Sequence, residues 1–246
     1  MRSDWVAASV RARSMAQRRA GAGTCRETAA APGLRAALDH LADTVYGREF
    51  AFVHTLPEAH RATRKTVLWQ LRVLAGWIPA GGTRLVRAAA AAFEADNILD
   101  LDLRLRENSG GTAPFDLGGL ATAWPRLQRA ATEDELRAAL AASPWGDPGP
   151  ESALPDILTV VWLRRLAAEA PAARPWAAAA AALIAARILL VERAAPAPRL
   201  ITLLRPLLGT GWTGSRTTGS PDLPNLASLP DLENLHSALP RQLHRH

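Results

Sequence analysis

The chain of 246 residues has one cysteine, Cys25, and six histidines. A cysteine nucleophile needs an imidazole held beside it to take the thiol proton. His40 and His54 are nearest in sequence, but Cys25 stands between Gly21 and Gly33 with nothing to fix a geometry. It reads as a loop cysteine. A single cysteine also excludes an internal disulfide and a cysteine-based metal cluster, and it suits a reducing, cytosolic setting. His236, His244 and His246 lack the i,i+4 spacing with which a helix offers two imidazoles to a metal. Pro79-Ala80-Gly81-Gly82-Thr83-Arg84 has the glycines of a phosphate loop but no lysine before the threonine. It reads as one helix stopping and another starting. The acidic residues pair with arginines at helical spacing, as on a solvated face, whereas acid–base catalysis needs two carboxylates in unlike surroundings. No catalytic residue, metal or cofactor is expected.

What remains is positive charge. Lys+Arg exceed Asp+Glu by 29 to 23, and every basic residue except Lys65 is arginine. The bias toward alanine, arginine, proline and leucine looks like coding bias as much as function, so net charge alone is a poor argument for nucleic acid. Arg11, Arg13, Arg18 and Arg19 crowd one short stretch. Two readings stand side by side: an electrostatic footprint for an acidic partner, or a solvated helix face. Aromatic residues able to stack on bases are few, which makes nucleic acid the less suitable acidic partner.

The elements that must position these residues are helices. A chain of this length buries a core without a disulfide or metal staple. A first helix is expected from a cap at Ser3 or Asp4 to about Arg19, then a loop through Gly21, Gly23, Pro32 and Gly33. Leu34, Ala37, Leu38, Leu41 and Val45 recur on one helical face, and Gly47 after Tyr46 is expected to supply a left-handed end. Thr55 and Glu58 form a capping box with Pro57 in the first turn. From Thr83 to Arg106 the leucines at 99, 101, 103 and 105 alternate as in a strand. The alanine-rich approach and the i,i+4 pairs Asp100–Arg104 and Asp102–Arg106 favour helix. A short helix is expected around Leu117 to Trp124, and a second capping box at Thr132 and Glu135. Ser143 to Pro150 is a candidate boundary, followed by helices over Pro155–Glu169, Pro175–Arg193 and Pro198–Leu208. Phe93, Ala95, Ile98, Leu99 and Asp102 line up at constant offset with Leu183, Ala185, Ile188, Leu189 and Glu192, as in an internal repeat. From Gly209 the chain carries recurring Leu-Pro and Asp-Leu units and is expected to be a disordered tail. The apolar run from Pro175 to Ala186 meets Arg187 well short of about 20 residues, so no transmembrane segment is expected. Arg2 is followed by Asp4 with no apolar stretch, so no secretory leader is expected either.

Several motifs, taken in order, resemble one family. Ala7-Ala8-Ser9-Val10-Arg11-Ala12-Arg13-Ser14-Met15 is similar to an opening helix with an Arg-x-Arg pattern. Leu41-Ala42-Asp43-Thr44-Val45-Tyr46-Gly47 looks like a short helix ending in a Tyr-Gly turn. Phe93-Glu94-Ala95-Asp96-Asn97-Ile98-Leu99 is similar to a helix in which an acid and an asparagine precede an apolar pair. Phe115-Asp116-Leu117-Gly118-Gly119-Leu120 and Leu140-Ala141-Ala142-Ser143-Pro144-Trp145 follow in the same order. Together they resemble the C subunit of the archaeal and bacterial V/A-type rotary ATPases, a relative of subunit d of the eukaryotic vacuolar enzyme. The resemblance covers about Trp5 to Trp145.

That resemblance implies an all-α fold of repeated helical hairpin units packed as a partial funnel. It implies residues 1–146 as a first unit, 147–208 as a shortened second unit and 209–246 as the tail. It implies a non-catalytic coupling subunit, peripheral on the cytoplasmic face of the membrane, with the proteolipid ring and the central-stalk subunits as partners. Arg11, Arg13 and Arg18 are the candidate partner contacts. Asp96 and Asn97 are either partner contacts on a groove wall or buried packing groups. Tyr46, Gly47, Thr55 and Glu58 are structural. The competing reading is a stand-alone α-helical adaptor that binds acidic partners through arginine-rich faces. A helical enzyme would need a pocket with titratable groups of perturbed pKa.

Overall fold

The structure, a computed structural model, describes residues 4–107, 112–149 and 153–214. Over those residues it is all-helical, without a β-strand. The chain divides into two compact units, residues 1–93 with 115–120, and residues 94–114 with 121–246. The division falls between Phe93 and Glu94, inside a helix, and the expected boundary after residue 146 lies within the second unit.

The first unit contains α1 (Asp4–Gln17), α2 (Ala22–Ala29), α3 (Leu34–Leu41), α4 (Leu56–Ala75) and the start of α5 (Thr83–Glu107). α2 stands where a loop was expected. Its glycines and proline bracket the helix, apart from Gly23 in its first turn, and packing against α3 holds it although none of its own residues is buried. Cys25 is exposed on this helix. α3 stops at Leu41, short of Val45, and Gly47 is not left-handed: it opens a 3-10 turn, Gly47–Glu49. Glycine is required there for another reason. A Cβ on Gly47 would run into the carbonyl oxygen of Ala42, where the chain doubles back on the end of α3. Tyr46 packs beside it against the core of Leu38, Phe50, Ala59 and Ala62.

The capping box at α4 forms as expected. The Glu58 N–H donates to the Thr55 hydroxyl at 3.4 Å, and Glu58 Oε2 accepts from the N–H groups of His54 and Thr55 at 2.8 and 3.0 Å. These bonds satisfy amides that a helix start leaves without partners, and they hold the Glu58 carboxyl below its usual range. α5 is one unbroken helix, so the leucine alternation at 99–105 belongs to a helix and not to a strand. Arg106 pairs with Asp102 at 2.9 Å, and Arg104 Nε donates to the Asp100 carbonyl at 3.3 Å.

The second unit adds α6 (Trp124–Leu127), α7 (Glu133–Ala141), α8 (Leu154–Glu169), α9 (Arg174–Ala186) and α10 (Pro198–Leu208). α8, α9 and α10 pack on one another. Ala177, Ala181 and Ala185 share one buried face of α9 at i,i+4 spacing, and small side chains let its neighbours come close. The Ser143–Gly149 stretch, expected as a boundary, is packed: Trp145 is 1% exposed. The carbonyl oxygens of Asp147 and Gly149 accept from Arg199 and Arg137 at 2.9 and 3.2 Å.

Helix continues past α9 as a π turn, Arg187–Val191. Arg187 does not end the helix, and its guanidinium pairs with Asp156 at 2.6 Å and with Glu192. With the π turn included, the helical run Pro171–Val191 is long and apolar enough, by length and composition alone, to cross a membrane, and 39% of it is buried inside the protein; the expected run stops at Ala186. The π turn also separates the matched stretches of the expected repeat. Ile98 and Leu99 lie in regular α-helix, Ile188 and Leu189 in the π turn. Gly209 ends α10 with φ of +104°, a conformation that side chains with a Cβ rarely adopt. The expected tail begins with ordered residues: Trp212 is buried and its carbonyl accepts from Arg205 Nε at 3.1 Å. The remainder of that tail, with His236, His244 and His246, lies outside the described residues.

Three substitutions test the joints of the first unit. Gly47→Ala forces the Cβ onto the Ala42 carbonyl and is expected to cost about 1–3 kcal/mol in urea unfolding; Thr55→Ala is expected to cost about 1 kcal/mol. The folded-state pKa of Glu58 lies below its unfolded value, so its contribution is complete above the unfolded pKa and is lost as pH falls through the depressed one. Glu58→Gln is therefore expected to flatten the acid limb of a stability–pH profile, and an unchanged limb would contradict the assignment.

Candidate functional site

Two constellations stand out, one in each unit. In the first unit, the 3.6-residue period of α1 spreads its arginines around the helix. Arg13, Arg18 and Arg19 are exposed, while Arg11 is half-buried with Nε enclosed and without a hydrogen-bond partner among the described residues. Arg18 reaches a cavity of about 620 Å³, which also takes in Asp43, Thr44, Arg48, Glu49, Thr66 and Trp69. This volume is in the range of ligand clefts. Its walls come from the end of α1, the turn around Tyr46 and Gly47, and the middle of α4. Val45 and Arg48, the neighbours of Tyr46 and Gly47, line it. Trp69 is 52% exposed, so one side of its indole is open to solvent. Arg13 and Arg19 border a shallower groove with Ala16, Gln17 and Gly21. Among the described residues Arg13, Arg18, Arg19 and Arg48 are in no ion pair, so their guanidinium forks are available to carboxylates or carbonyls of a partner.

The same unit braces the segment 115–120 from two sides. Arg72 Nη1 donates to Asp116 Oδ2 at 2.7 Å, and Arg87 Nε to the Gly119 carbonyl at 3.2 Å. Phe115 meets Phe93 edge-on at 5.4 Å, with the Arg61 guanidinium 4.2 Å above the Phe115 ring. Buried aromatic pairs of this kind, capped by a cation, resist displacement.

The second constellation centres on Glu94, a residue the sequence reading quoted only inside a motif. It is 1% exposed in the second unit. Glu94 Oε1 accepts from the N–H groups of Thr122, Ala123 and Trp124 at 2.8, 2.7 and 2.7 Å. Oε2 accepts from the Trp145 indole N–H at 3.1 Å. α6 has no side-chain cap of its own, and a carboxylate from α5 supplies one across the fold. Arg165, on α8, donates to the Thr122 hydroxyl at 3.1 Å and lies over the Trp145 ring at 5.2 Å. Its Nη1 is enclosed without a hydrogen-bond partner among the described residues. Burial pulls the Arg165 pKa down, and the nearby charges of Glu94 and Glu169 push it back up. Both oxygens of Glu94 are engaged and the group is closed to solvent. It is suited to holding structure and not to taking a proton from a substrate.

Of the remaining sequence candidates, Asn97 is fully buried and Asp96 half-buried, and both are engaged in polar interactions. Asn97 therefore takes the packing reading, since a partner could reach it only by opening the fold. The signal for Glu94 was present in the sequence: an acid between Phe93 and Ala95, in a helix whose other residues nearby are mostly apolar. Arg165 and Thr122 carried no such signal. Among the described residues no three of His, Cys, Asp and Glu come together as a metal-binding group. The chain matches no family model, no curated protein and no solved structure.

Glu94→Ala would strand three amides and an indole and leave Arg165 with Glu169 alone of its two nearby acidic charges. It is expected to destabilise the fold by about 3–5 kcal/mol in chemical unfolding. Glu94→Gln keeps an acceptor for the amides but sets a donor against the Trp145 N–H, and about 1–3 kcal/mol is expected. Equal stability of Glu94→Ala and the unaltered chain would contradict this account.

Proposed function

We propose that this protein is a non-catalytic coupling subunit of a V/A-type rotary ATPase, joining the central stalk to the membrane proteolipid ring for ion transport. In this reading it sits on the cytoplasmic face of the membrane, peripheral to it, and its helical units form a shortened funnel. One observation carries the reading: segments distant in sequence, picked out by their resemblance to that family, meet in space within each unit. Phe93 meets Phe115 in the first unit, and Glu94 meets Trp145 in the second.

Mechanics supports it as well. A part that passes torque must not yield, and buried charge–amide joints and close-packed helices are stiff. It must also grip. The exposed Arg13 and Arg18 fit the contact role, whereas Asn97 fits an internal one. The adaptor reading draws on the same exposed arginines and differs in predicting no rotary partner.

The deciding measurement is graded salt washing of membranes from the source cells, followed by capture of this chain. Retention with ring and stalk subunits is expected. Release as a lone soluble protein at modest salt would favour the adaptor and end the rotary reading. Arg13→Glu with Arg18→Glu is expected to weaken retention about tenfold or more without lowering the unfolding midpoint, because two exposed guanidiniums carry contact and not core.

A further inference from the structure

Four charged side chains line one cavity of the first unit without neutralising one another. Arg18 follows the last residue of α1, Asp43 lies two residues beyond α3, and Arg48 and Glu49 lie in the 3-10 turn before α4. All four are exposed, and among the described residues none is in an ion pair. Elsewhere in the same unit arginines close on acids: Arg35 meets Asp39 at 3.1 Å and Arg72 meets Asp116 at 2.7 Å. Around this cavity two guanidiniums and two carboxylates stay apart, and the space they border, about 620 Å³, is open.

α4 supplies the wall between these charges. Thr66 and Trp69 are three residues apart, so they share one face of that helix. Trp69 presents the open side of its indole, a flat apolar surface. Thr66 is the buried residue of the lining, 5% exposed. Its hydroxyl hydrogen goes to the Ala62 carbonyl at 3.3 Å. A hydroxyl has one hydrogen, so toward a ligand the Thr66 oxygen is left as an acceptor. The ligand atom that satisfies it must carry a proton.

These features select among ligands. A phosphate or polyphosphate is negative and only accepts, so Asp43 and Glu49 repel it and Thr66 has nothing to give it. A polyamine meets the opposite obstacle at Arg18 and Arg48. A ligand with one charge of each sign answers both pairs. Were the cavity equally wide in all directions, its 620 Å³ would make it about 8–9 Å across, the span of two or three extended residues at about 3.3–3.6 Å each. A free amino acid has both charges but no amide N–H and falls short of that span. A short peptide has a carboxylate for the arginine forks, an ammonium for the acids, an amide N–H for Thr66 and a side chain for the indole.

We propose that this cavity binds a short peptide of two or three residues with both ends free. Arg18 and Arg48 take its C-terminal carboxylate, Asp43 and Glu49 its N-terminal ammonium, Thr66 an amide N–H, and Trp69 a side chain. Every one of these residues belongs to the first unit, so the site needs no other subunit. The inference does not rest on the rotary reading; Arg18 alone is shared with the contact role given above.

The experiment is isothermal titration calorimetry on the full chain, without membranes. The tripeptide Ala-Phe-Ala with free ends is expected to bind, one per chain. Acetylating its N-terminus or amidating its C-terminus is expected to weaken binding about tenfold or more in each case. Arg18→Gln with Arg48→Gln is expected to weaken the free peptide about tenfold or more, yet to change the affinity of the amidated peptide by no more than about twofold. Asp43→Asn with Glu49→Gln is expected to do the same for the free and the acetylated peptide. A distorted cavity would weaken every peptide alike. The blocked peptides carry the test on the unaltered chain, so it does not depend on either double variant folding. The inference is overturned if Ala-Phe-Ala gives no binding heat up to about 10 mM. Blocked peptides that bind as tightly as the free one overturn it as well, as does tighter binding of inorganic pyrophosphate or spermidine than of Ala-Phe-Ala. Loss of the chain from salt-washed membranes would end the rotary reading and leave these titrations unchanged.

Discussion

A carboxylate sealed inside a protein must be answered by donors or it unfolds what surrounds it. Glu94 is answered by three consecutive amides and an indole, and the consequence is architectural. The amides belong to the turn that starts α6, and the indole to the stretch after α7. One side chain of α5 thereby fixes where two later parts of the second unit begin and end. Arg165 brings α8 to the same point through Thr122 and Trp145, and accepts a costly burial to do so. Remove the carboxylate and four donors lose their partner, three of them in buried positions.

The first unit is held by different means. Its joints are the close approach at Gly47, the box at Thr55 and Glu58, and the clamp of Arg72 and Arg87 on segment 115–120. Arginine serves twice in this unit. Where its fork faces the fold, as at Arg61, Arg72 and Arg87, it binds carbonyls, a carboxylate and an aromatic ring. Where it faces outward, as at Arg13, Arg18 and Arg19, the same chemistry is left for something else. A composition that looked like coding bias thus divides into structural and available arginines only when burial and partners are known. Under the proposed reading, stiffness and grip are both required, and they come from one residue type in two settings.

Much of the helical skeleton was legible. Period and capping placed α3, α4, α7, α8, α9 and α10 to within a few residues, because amphipathic spacing and helix-start chemistry are local. α5 was legible despite its alternating leucines, since an alanine-rich approach and i,i+4 pairs outweigh four residues of strand-like pattern. α2 was not, because its support comes from α3 and not from its own sequence. Gly47 was expected to supply a left-handed end, and its backbone is not left-handed. A Tyr-Gly pair suggests a left-handed end, and only the path of the chain past Ala42 shows that space is the constraint. Ser143 to Gly149 has the composition of a linker yet carries the buried Trp145.

By itself the sequence determined that this is a helical protein, where most helices start and stop, and that its surface chemistry is arginine chemistry. Those follow from short-range rules: propensity, capping and period all act within a few residues. Tertiary structure alone decided that Glu94 is the hub, and that Asn97 is enclosed while Arg18 borders a cavity. The hub depends on groups 28 or more residues apart meeting, as Glu94 meets Thr122. No local pattern records which distant amide will face which carboxylate.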